Sequence, residues 1–362
     1  MKSGWERTGL RDLAIIETGK WDANHAVEGG AYRFYTCAAD YMFCNTRRFS
    51  GNCLVFPGNG ANVGEVYFYN GEFDAYQRTY VLHSISKRLL PRLLYYHFLS
   101  NWKSVGTAKQ YGSATNFIKI GNFNDYFVSF PSSLTEQQRI VDILDQEFAK
   151  IDALKANAEK SLQAAKDLFQ ATLKKELEPK KEWEELAIPE VSENLDSKRV
   201  PITKSVRENG HYPYYGASGI VDYVADYIFD EPLLLVSEDG ANLLARSTPI
   251  AFSIEGKVWV NNHAHVLRFD DYKKQKFVEY WFAGNDISSL ITGAAQPKFN
   301  QKALNSIKIA FPMKEQEMED ILDRLGEMEG KSISLQENYQ KTLSLCDDLK
   351  QSLLRKAFNG EL

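Results

Sequence analysis

Two long segments of the chain place apolar or small residues at alternating intervals of four and three. The first segment begins near Leu134 and meets no Pro or Gly before Pro179. Its seam positions are Leu144, Phe148, Ile151, Ala158, Leu162, Ala165, Phe169 and Thr172. The second segment has the same spacing at Ile321, Leu325, Met328, Ser332, Leu335, Tyr339, Thr342, Cys346, Leu349 and Leu353. This spacing keeps one helix face apolar over several heptads, so the pattern predicts two long coiled-coil helices.

The same dipeptide precedes each segment, Phe130–Pro131 before the first and Phe311–Pro312 before the second. The stretch "LTEQQRIVDILDQEFAKID" then returns as "MKEQEMEDILDRLGEMEGKSI". Aligned on the shared "ILD", the second copy lacks the Arg-Ile pair and is one residue shorter. An internal repeat of this kind predicts a chain built from two related halves.

The regions before the two helices also correspond. "GAN" at 60–62 falls on "GAN" at 240–242, an offset of 180 residues, and Arg78–Leu82 matches His263–Leu267. The repeat therefore extends beyond the helices. It predicts a first globular module at 1–132, a long helix at 133–180, a second module at 181–313 and a second long helix at 314–362.

Each module is predicted to mix strands and helices. Short apolar runs bounded by Gly, Pro, Asn and Asp predict strands at "NCLVFP", "GEVYFY", "LLLVSE" and "PIAFSI". One helix per module is predicted, at 88–102 and 277–291. The fold class is therefore α+β. For the long segments, two core helices of a bundle remain an alternative, although stripes this long usually pack against another long helix.

Composition limits the possible functions. The net charge of −5 argues against indiscriminate coating of nucleic acid. Residues 1–130 nevertheless carry 14 Lys and Arg against 10 Asp and Glu, whereas residues 183–312 carry 13 against 17. The sequence has no secretory signal and no apolar run of membrane-spanning length. The spacing of Cys37, Cys44, Cys53 and Cys346 excludes a C-x-x-C metal site, so we expect reduced thiols and a cytoplasmic protein without a membrane partner.

The common cofactor motifs are missing from the sequence. It contains no G-x-x-x-x-G-K-[ST] phosphate loop, no Gly-rich turn typical of dinucleotide or S-adenosylmethionine folds, and no Asn-Pro-Pro-aromatic motif for a flipped base. His263 and His265 form an H-x-H pair without further plausible ligands, which favours two ordinary polar loop residues over a metal site. We therefore expect no cofactor and no metal in this chain.

One pattern is typical of an enzyme. Asp239 followed by Glu255-Gly256-Lys257 has the acid…acid-x-lysine order of a metal-dependent nuclease, in which two carboxylates hold Mg²⁺ and the lysine polarises the phosphate. The pattern occurs often by chance, and Asn59 stands at the position of Asp239 in the first module. A nuclease is kept as an alternative hypothesis.

Polar, aromatic and basic residues in the turns of both modules are the candidates for DNA binding. Arg, Lys, Asn and Gln can bond base edges, whereas Ser, Tyr and further basic residues contact phosphates. The candidates in the first module are Arg47, Arg48, Asn59, Asn62, Gln77, Arg78, Tyr80, Gln110 and Tyr111. Those in the second are Tyr215, Ser218, Asn242, Arg246, Asn261, Asn262, His263, Gln296 and Lys298. The scaffold repeats while these turns differ, as expected of two readers of different sequences.

Two dissimilar modules, each followed by a long helix, resemble the specificity subunit of type I restriction–modification systems. The resemblance covers essentially the whole chain. It rests on "FPSSLTEQQRIVDILDQEFAKIDAL" at 130–154, "FPMKEQEMEDILDRL" at 311–325, "PYYGASGIVDYVADYIFDEPLLLVSEDGAN" at 213–242 and the terminal "LLRKAFNGEL".

The resemblance implies two target-recognition domains in a pseudo-two-fold repeat, separated and linked by two long antiparallel coiled-coil helices. Each domain would read one half of a bipartite target in double-stranded DNA. The helices would set the spacing, about 60 Å for 40 residues, and dock two methyltransferase (modification) subunits. Adenine methylation and ATP-driven cleavage would belong to the modification and restriction subunits, leaving this chain non-catalytic. A coiled-coil assembly protein that does not bind DNA is the remaining alternative.

Overall fold

The computed structural model describes residues 3–108, 111, 116–293 and 295–362. It divides into two compact units, one made of Met1–Ala158 with Lys341–Leu362 and the other of Glu159–Gln340. Within the described ranges, no helix has both the length and the apolar character needed to cross a membrane.

The first unit holds the first module. Its strands are β1 Trp5–Gly9, β2 Ile15–Thr18, β3 Tyr32–Tyr35, β4 Met42–Cys44, β5 Asn52–Pro57, β6 Tyr67–Asn70, β7 Phe73–Ala75, β8 Thr79–His83 and β9 Phe127–Pro131. Its short α-helices are α1 Pro91–Asn101 and α2 Gly121–Asn124, and the long helix α3, Leu134–Glu176, starts here. The strands form a four-stranded sheet β2-β8-β5-β6, a three-stranded sheet β4-β3-β7 and a ribbon β1-β9.

Strand β5 is buried on both faces, which explains its uninterrupted apolar sequence. Leu54 and Phe56 belong to the core that contains helix α1, whereas Cys53 and Val55 belong to the core shared with the three-stranded sheet. Successive side chains of a strand point to opposite faces, so one strand supplies both cores.

The second unit repeats this architecture. Its strands are β10 Glu184–Ala187, β11 Glu193–Asn194, β12 Asn209–Gly216, β13 Gly219–Val224, β14 Phe229–Asp230, β15 Leu233–Ser237, β16 Ala251–Ile254, β17 Lys257–Val260, β18 Ala264–Arg268 and β19 Lys308–Phe311. Its α-helices are α4 Ile188–Val191, α5 Asn242–Ala245, α6 Tyr272–Gly284 and α7 Gln301–Asn305, and they precede the long helix α8, Glu315–Asn359. The sheets are β11-β18-β15-β16, β13-β12-β17-β14 and the ribbon β10-β19. The prediction of a repeated α+β module is confirmed.

The two long helices pack against each other antiparallel within each unit. In the first unit Lys155 Nζ lies 2.8 Å from Asp347 Oδ1, and Arg139 donates to the carbonyl of Leu362 at 2.7 Å. In the second unit Ser332 Oγ donates to Ala165 O at 3.1 Å, and Arg324 pairs with Glu176 at 2.7 Å. Residue numbers fall along α8 as they rise along α3, so the predicted antiparallel pairing is confirmed.

Two of the predicted seam positions of α8 are wrong. Leu335 is 41% exposed and Leu349 is 48% exposed, while the neighbouring Gln336 and Lys350 are partly buried. The next seam residue after Ser332 is Gln336, four positions on, whereas the apolar pattern indicated Leu335, three positions on. The aliphatic stem of Lys350 can cover the seam while its ammonium pairs with the exposed carboxylate of Asp152. A prediction from apolar residue type alone therefore selected the wrong positions.

The predicted one-residue shortening in the second copy is also wrong. Helix α3 begins at Leu134 and helix α8 at Glu315, which is an offset of 181 residues. The same offset relates buried residues at equivalent positions, Ile140 to Ile321 and Leu144 to Leu325. No residue is missing, because Met318 stands at the position of Gln137.

The predicted helix at 277–291 begins and ends earlier in the structure, at Tyr272–Gly284. Asp271 caps its first turn by accepting a hydrogen bond from Lys273 N at 2.8 Å.

Candidate functional site

Three segments meet at one end of the four-stranded sheet of the first module. They comprise residues 57–60 after β5, residues 76–80 at the start of β8, and residues 111 and 116–119, which together we call the first edge. Ile118 N donates to Gly58 O at 2.9 Å and Gly60 N to Asn116 O at 2.8 Å. Backbone hydrogen bonds therefore fix this edge.

The second module builds an equivalent second edge from residues 237–240, 261–265, 292–293 and 295–299. Phe299 N donates to Glu238 O at 2.7 Å and Gly240 N to Pro297 O at 3.1 Å, the same pattern of bonds as in the first edge. Glu238 N also donates to His263 O at 2.9 Å. The sequence offset had aligned these turns correctly.

Several candidates lie exposed at the first edge. Gln77 donates to Asp22 Oδ1 at 2.5 Å, and Arg78 is exposed beside it. Tyr111 stacks on Phe117 at 5.6 Å between ring centroids, and Lys119 Nζ lies 4.3 Å from the Tyr111 ring. These side chains present amide, guanidinium, aromatic and ammonium groups on one surface.

Other candidates of the first module support the backbone or lie elsewhere. Asn62 donates to Cys37 O at 2.9 Å, Asn59 forms a backbone bridge with Phe117, and the half-buried Tyr80 donates to Ile118 O at 3.3 Å. Gln110 falls outside the described residues.

Arg47 and Arg48 are not part of the first edge. Both precede β5, at the end of the sheet opposite to the edge, where Arg48 N donates to Phe73 O. Arg47 pairs with Glu72, and Arg48 lies 2.5 Å from Glu17. The two charges are therefore matched by carboxylates of the same module.

The second edge also exposes polar candidates, namely Asn262, His263, Gln296 and Lys298. Ser218 is exposed outside this edge, in the turn between β12 and β13. His263 Nδ1 lies 2.9 Å from both carboxylate oxygens of Asp239. Lys298 Nζ lies 3.3 Å from Glu238 Oε1, and its side chain is 54% exposed. Both side chains thus contact acids of the same edge.

Four candidates of the second module are engaged in structural contacts. Asn242 accepts from Ser247 Oγ and Thr248 N, and Asn261 Oδ1 accepts from His263 N at 2.8 Å. Arg246 donates to the carbonyls of Phe282 and Asn285, both at 2.8 Å. Tyr215 is half-buried, and its carbonyl accepts from Asn261 N.

A largely buried ionic cluster behind the second edge was missed in the sequence. His265, interpreted as an ordinary loop residue, is a strand residue only 1% exposed, and that interpretation is wrong. Its Nδ1 lies 2.6 Å from Asp196 Oδ2, and its Nε2 lies 2.8 Å from Phe299 O. Arg199 Nη1 donates to Glu238 Oε2 at 2.7 Å. The available signal was the position of His265 inside the mainly apolar run Ala264–Arg268, which forms a strand buried on both faces.

This ionic cluster, which comprises Asp196, Arg199, Glu238 and His265, already contains its own cation, the Arg199 guanidinium. Asp196, Glu238 and His265 offer atoms within 4.8 Å of one another, a spacing that a metal ion would suit. The Arg199 guanidinium occupies that place, 2.7 Å from Glu238 and 3.4 Å from Asp196. Burial works to raise the pKa of the Asp196 carboxyl, but the hydrogen bond from His265 and nearby positive charge outweigh it and lower that pKa below its ordinary value.

Comparison with known families settles which family has this architecture. The family model for the type I restriction modification DNA specificity domain matches residues 2–164 and, a second time, residues 180–339. The chain belongs to the type I restriction modification DNA specificity family. The two matches fall on the two modules, so the resemblance inferred from the helical repeat is confirmed.

Individual members of the specificity family agree with this assignment. The EcoDI specificity subunit of a type I restriction enzyme from Escherichia coli is 27% identical over 406 aligned positions, 99% of this chain and 88% of the relative. A chain from structural work on complex assembly and conformational transition of the type I R-M system has a TM-score of 0.75 at 13% identity, covering 100% of this chain and 99% of the other. The HsdS subunit from Thermoanaerobacter tengcongensis has a TM-score of 0.52 at 13% identity, covering 100% and 98%. At such identities the structural likeness concerns the fold.

The nuclease alternative is not supported in this specificity-family chain. Asp239 follows the end of β15, whereas Glu255 and Lys257 follow Ile254, which pairs with Leu233 at the start of that strand. At about 3.3 Å per residue, roughly 20 Å of strand separates Asp239 from the other two. The three side chains therefore do not converge on one metal or phosphate.

Arg33 of the first recognition module was also overlooked. Its guanidinium lies 4.1 Å from the Tyr41 ring centroid and 4.3 Å from that of Tyr69, and it donates to Tyr35 Oη at 3.3 Å. Alternation in the strand Tyr32–Tyr35 places Arg33 and Tyr35 on one face, which was the signal in the sequence. The two rings hold a positive charge at a surface where Tyr41 is exposed.

Proposed function

We propose that this chain is the DNA-specificity subunit of a type I restriction–modification complex, with each module reading one half of a bipartite target. The observation that carries this proposal is the repeated construction of the two edges. The same backbone bonds support different exposed side chains, Gln77 and Arg78 at the first edge and Asn262 and His263 at the second. Amide and guanidinium groups bind base edges, so different side chains on equal frames read different sequences.

The partners in this proposal are double-stranded DNA, two methyltransferase subunits and the restriction subunits. Adenine methylation and DNA cleavage are assigned to those subunits, and this chain supplies recognition and assembly in the cytoplasm. The long helices set the spacing between half-sites. The 43-residue α3 is about 65 Å long, which exceeds one DNA turn of about 34 Å.

Exposed leucines on the long helices support their proposed docking role. In the first unit Leu154 follows the buried Ile151 by three residues, and Leu349 follows the buried Cys346 by three. In the second unit Leu168 follows Ala165 and Leu335 follows Ser332 by the same interval. In an antiparallel helix pair, residues that follow a seam residue by the same number of positions on each helix project from the same side of the pair. Each unit therefore has an apolar strip on one side of its helix pair.

Replacing Leu168 and Leu335 together by glutamine is expected to weaken association with the methyltransferase subunit at least about tenfold, because large apolar side chains contribute strongly where they become buried. Ile333→Gln is the matched control. Ile333 is 50% exposed on the same helix but follows Ser332 by one residue, so it lies on the other side. Titration calorimetry of the purified subunits measures the affinity. Equal weakening by the control would contradict docking on the leucine side.

Exchanging residues 1–132 for those of a relative with another target is expected to change one half of the methylated motif and leave the other intact. The measurement is genome-wide adenine-methylation mapping in strains carrying the native gene, the exchange or no gene. Loss of one split motif without the gene supports the proposal. Change in both halves refutes modular recognition, and an unchanged methylation map in all three strains favours a non-DNA assembly role.

A further inference from the structure

We infer that the ionic cluster positions Lys298 for base or phosphate contact in the second half-site, and that Glu238 is the positioning residue. This inference rests on the proposed function and adds a specificity determinant that is present in one module only.

Glu238 connects all three segments of the second edge. Its amide donates to His263 O at 2.9 Å, its carbonyl accepts from Phe299 N at 2.7 Å, and its carboxylate receives Lys298 Nζ at 3.3 Å. The carboxylate is only 14% exposed, although Lys298 itself reaches solvent. A partly buried carboxylate thus fixes an exposed lysine, which leaves further donors of the ammonium for a ligand.

The rest of the cluster holds the Glu238 carboxylate in place. Arg199 Nη1 bonds both Glu238 Oε2 and the carbonyl of Ala264, each at 2.7 Å. Asp196 accepts from Val266 N at 2.9 Å and lies against His265. Both ring nitrogens of His265 lie within hydrogen-bond distance of an oxygen, Nδ1 of Asp196 Oδ2 and Nε2 of the Phe299 carbonyl. These contacts order two carboxylates, a guanidinium and an imidazole behind the edge.

In the described part of the first edge, the positions of Glu238 and His265 carry uncharged residues. Gly58 stands at the position of Glu238, and a Cβ there would lie 2.0 Å from the carbonyl of Arg78, so no other side chain fits. Tyr80 stands at the position of His265 and bonds the carbonyl of Ile118, which corresponds to Phe299. The neutral hydroxyl of Tyr80 therefore supports the first edge at the position where His265 of the ionic cluster supports the second. Removing the cluster is expected to affect a single half-site.

The experiment uses the complete methyltransferase complex after its target has been mapped. Methylation rates are compared on duplexes carrying single-base changes in either half-site. Glu238→Gln is expected to reduce discrimination about tenfold in the half-site read by the second module and to change the other half-site less than about twofold. Glu255→Gln is the matched control, since it neutralises an exposed acid of the same module. It is expected to retain wild-type discrimination in both half-sites.

A double-mutant cycle separates positioning from simple structural damage. If Glu238 acts through Lys298, then Lys298→Gln and the double variant show the same loss of discrimination. Lys298 is exposed, so its substitution tests the inference even if Glu238→Gln fails to fold. Additive losses, equal losses in both half-sites, or an unaffected Lys298→Gln variant overturn the inference. A wild-type complex without sequence dependence would instead refute the proposed function itself.

Discussion

Replacing Gln137 by alanine is expected to destabilise the first unit by about 3 kcal/mol. Gln137 is fully buried at the start of α3. Its Oε1 accepts from Leu90 N at 2.8 Å, and its Nε2 donates to Arg88 O at 2.8 Å and Pro131 O at 2.7 Å. Each buried backbone group left without a partner costs about 1–3 kcal/mol, and three groups lose theirs together.

Chemical denaturation of the full chain measures this change in the free energy of unfolding. Gln138→Ala is the control, because Gln138 is exposed and its amide donates to Asp142 Oδ1 of the same helix. Gln137→Met adds a sharper comparison, since it copies Met318 of the second copy. We expect it to destabilise as well, because methionine fills the space without bonding the three backbone groups. A stable Gln137→Met variant would mean that packing, not hydrogen bonding, is what the position requires.

Lowering the pH from 6.5 to 4 is expected to remove up to about 3 kcal/mol from the stability of the first unit. Burial lowers the pKa of His97 from 6.5 to about 4. Over that interval the unfolded chain binds a proton at His97 while the folded chain does not. Unfolding therefore becomes easier by about 1.4 kcal/mol per pH unit, the loss is absent above 6.5, and it is complete below 4.

Hydrogen exchange of helix α1 in urea, followed from pH 7.5 to 4.5, isolates the first unit. His97→Gln is expected to be less stable at pH 7.5, because the side chain contacts Tyr126 and accepts from Ser129 N, but to lose less stability on acidification. His211→Gln, an exposed histidine of the second unit, is expected to keep the wild-type slope. An unchanged slope in His97→Gln would assign the acid sensitivity to other groups.

The long helices were predictable because one apolar stripe persists over many turns. The same criterion failed at particular positions, where a polar residue is buried or an apolar one exposed. Gln137 is buried because three backbone partners compensate its amide, and Leu349 is exposed beside the partly buried Lys350. Such exceptions depend on partners from other parts of the chain, which local periodicity does not contain.

The candidate site was predictable in position more than in role. The offset of 180 correctly paired Asn59 with Asp239, and both lie at equivalent edges. By residue type Arg246 was as good a candidate for DNA binding as the other basic residues, yet both terminal nitrogens of its guanidinium donate to backbone carbonyls. Residue type identifies a donor, but only the fold shows whether the backbone already uses it.

The first unit draws its residues from both ends of the chain, and this affects how the chain folds during synthesis. Leu354 and Ala357 belong to the same core as Ile140 and Leu144. The second unit, in contrast, is a continuous segment, 159–340. During synthesis on the ribosome, residues 1–158 lack the segment 341–362 that completes their core until all of residues 159–340 have emerged. The N-terminal half of the chain is therefore the last to be completed, and the apolar surface that the final segment covers stays exposed the longest.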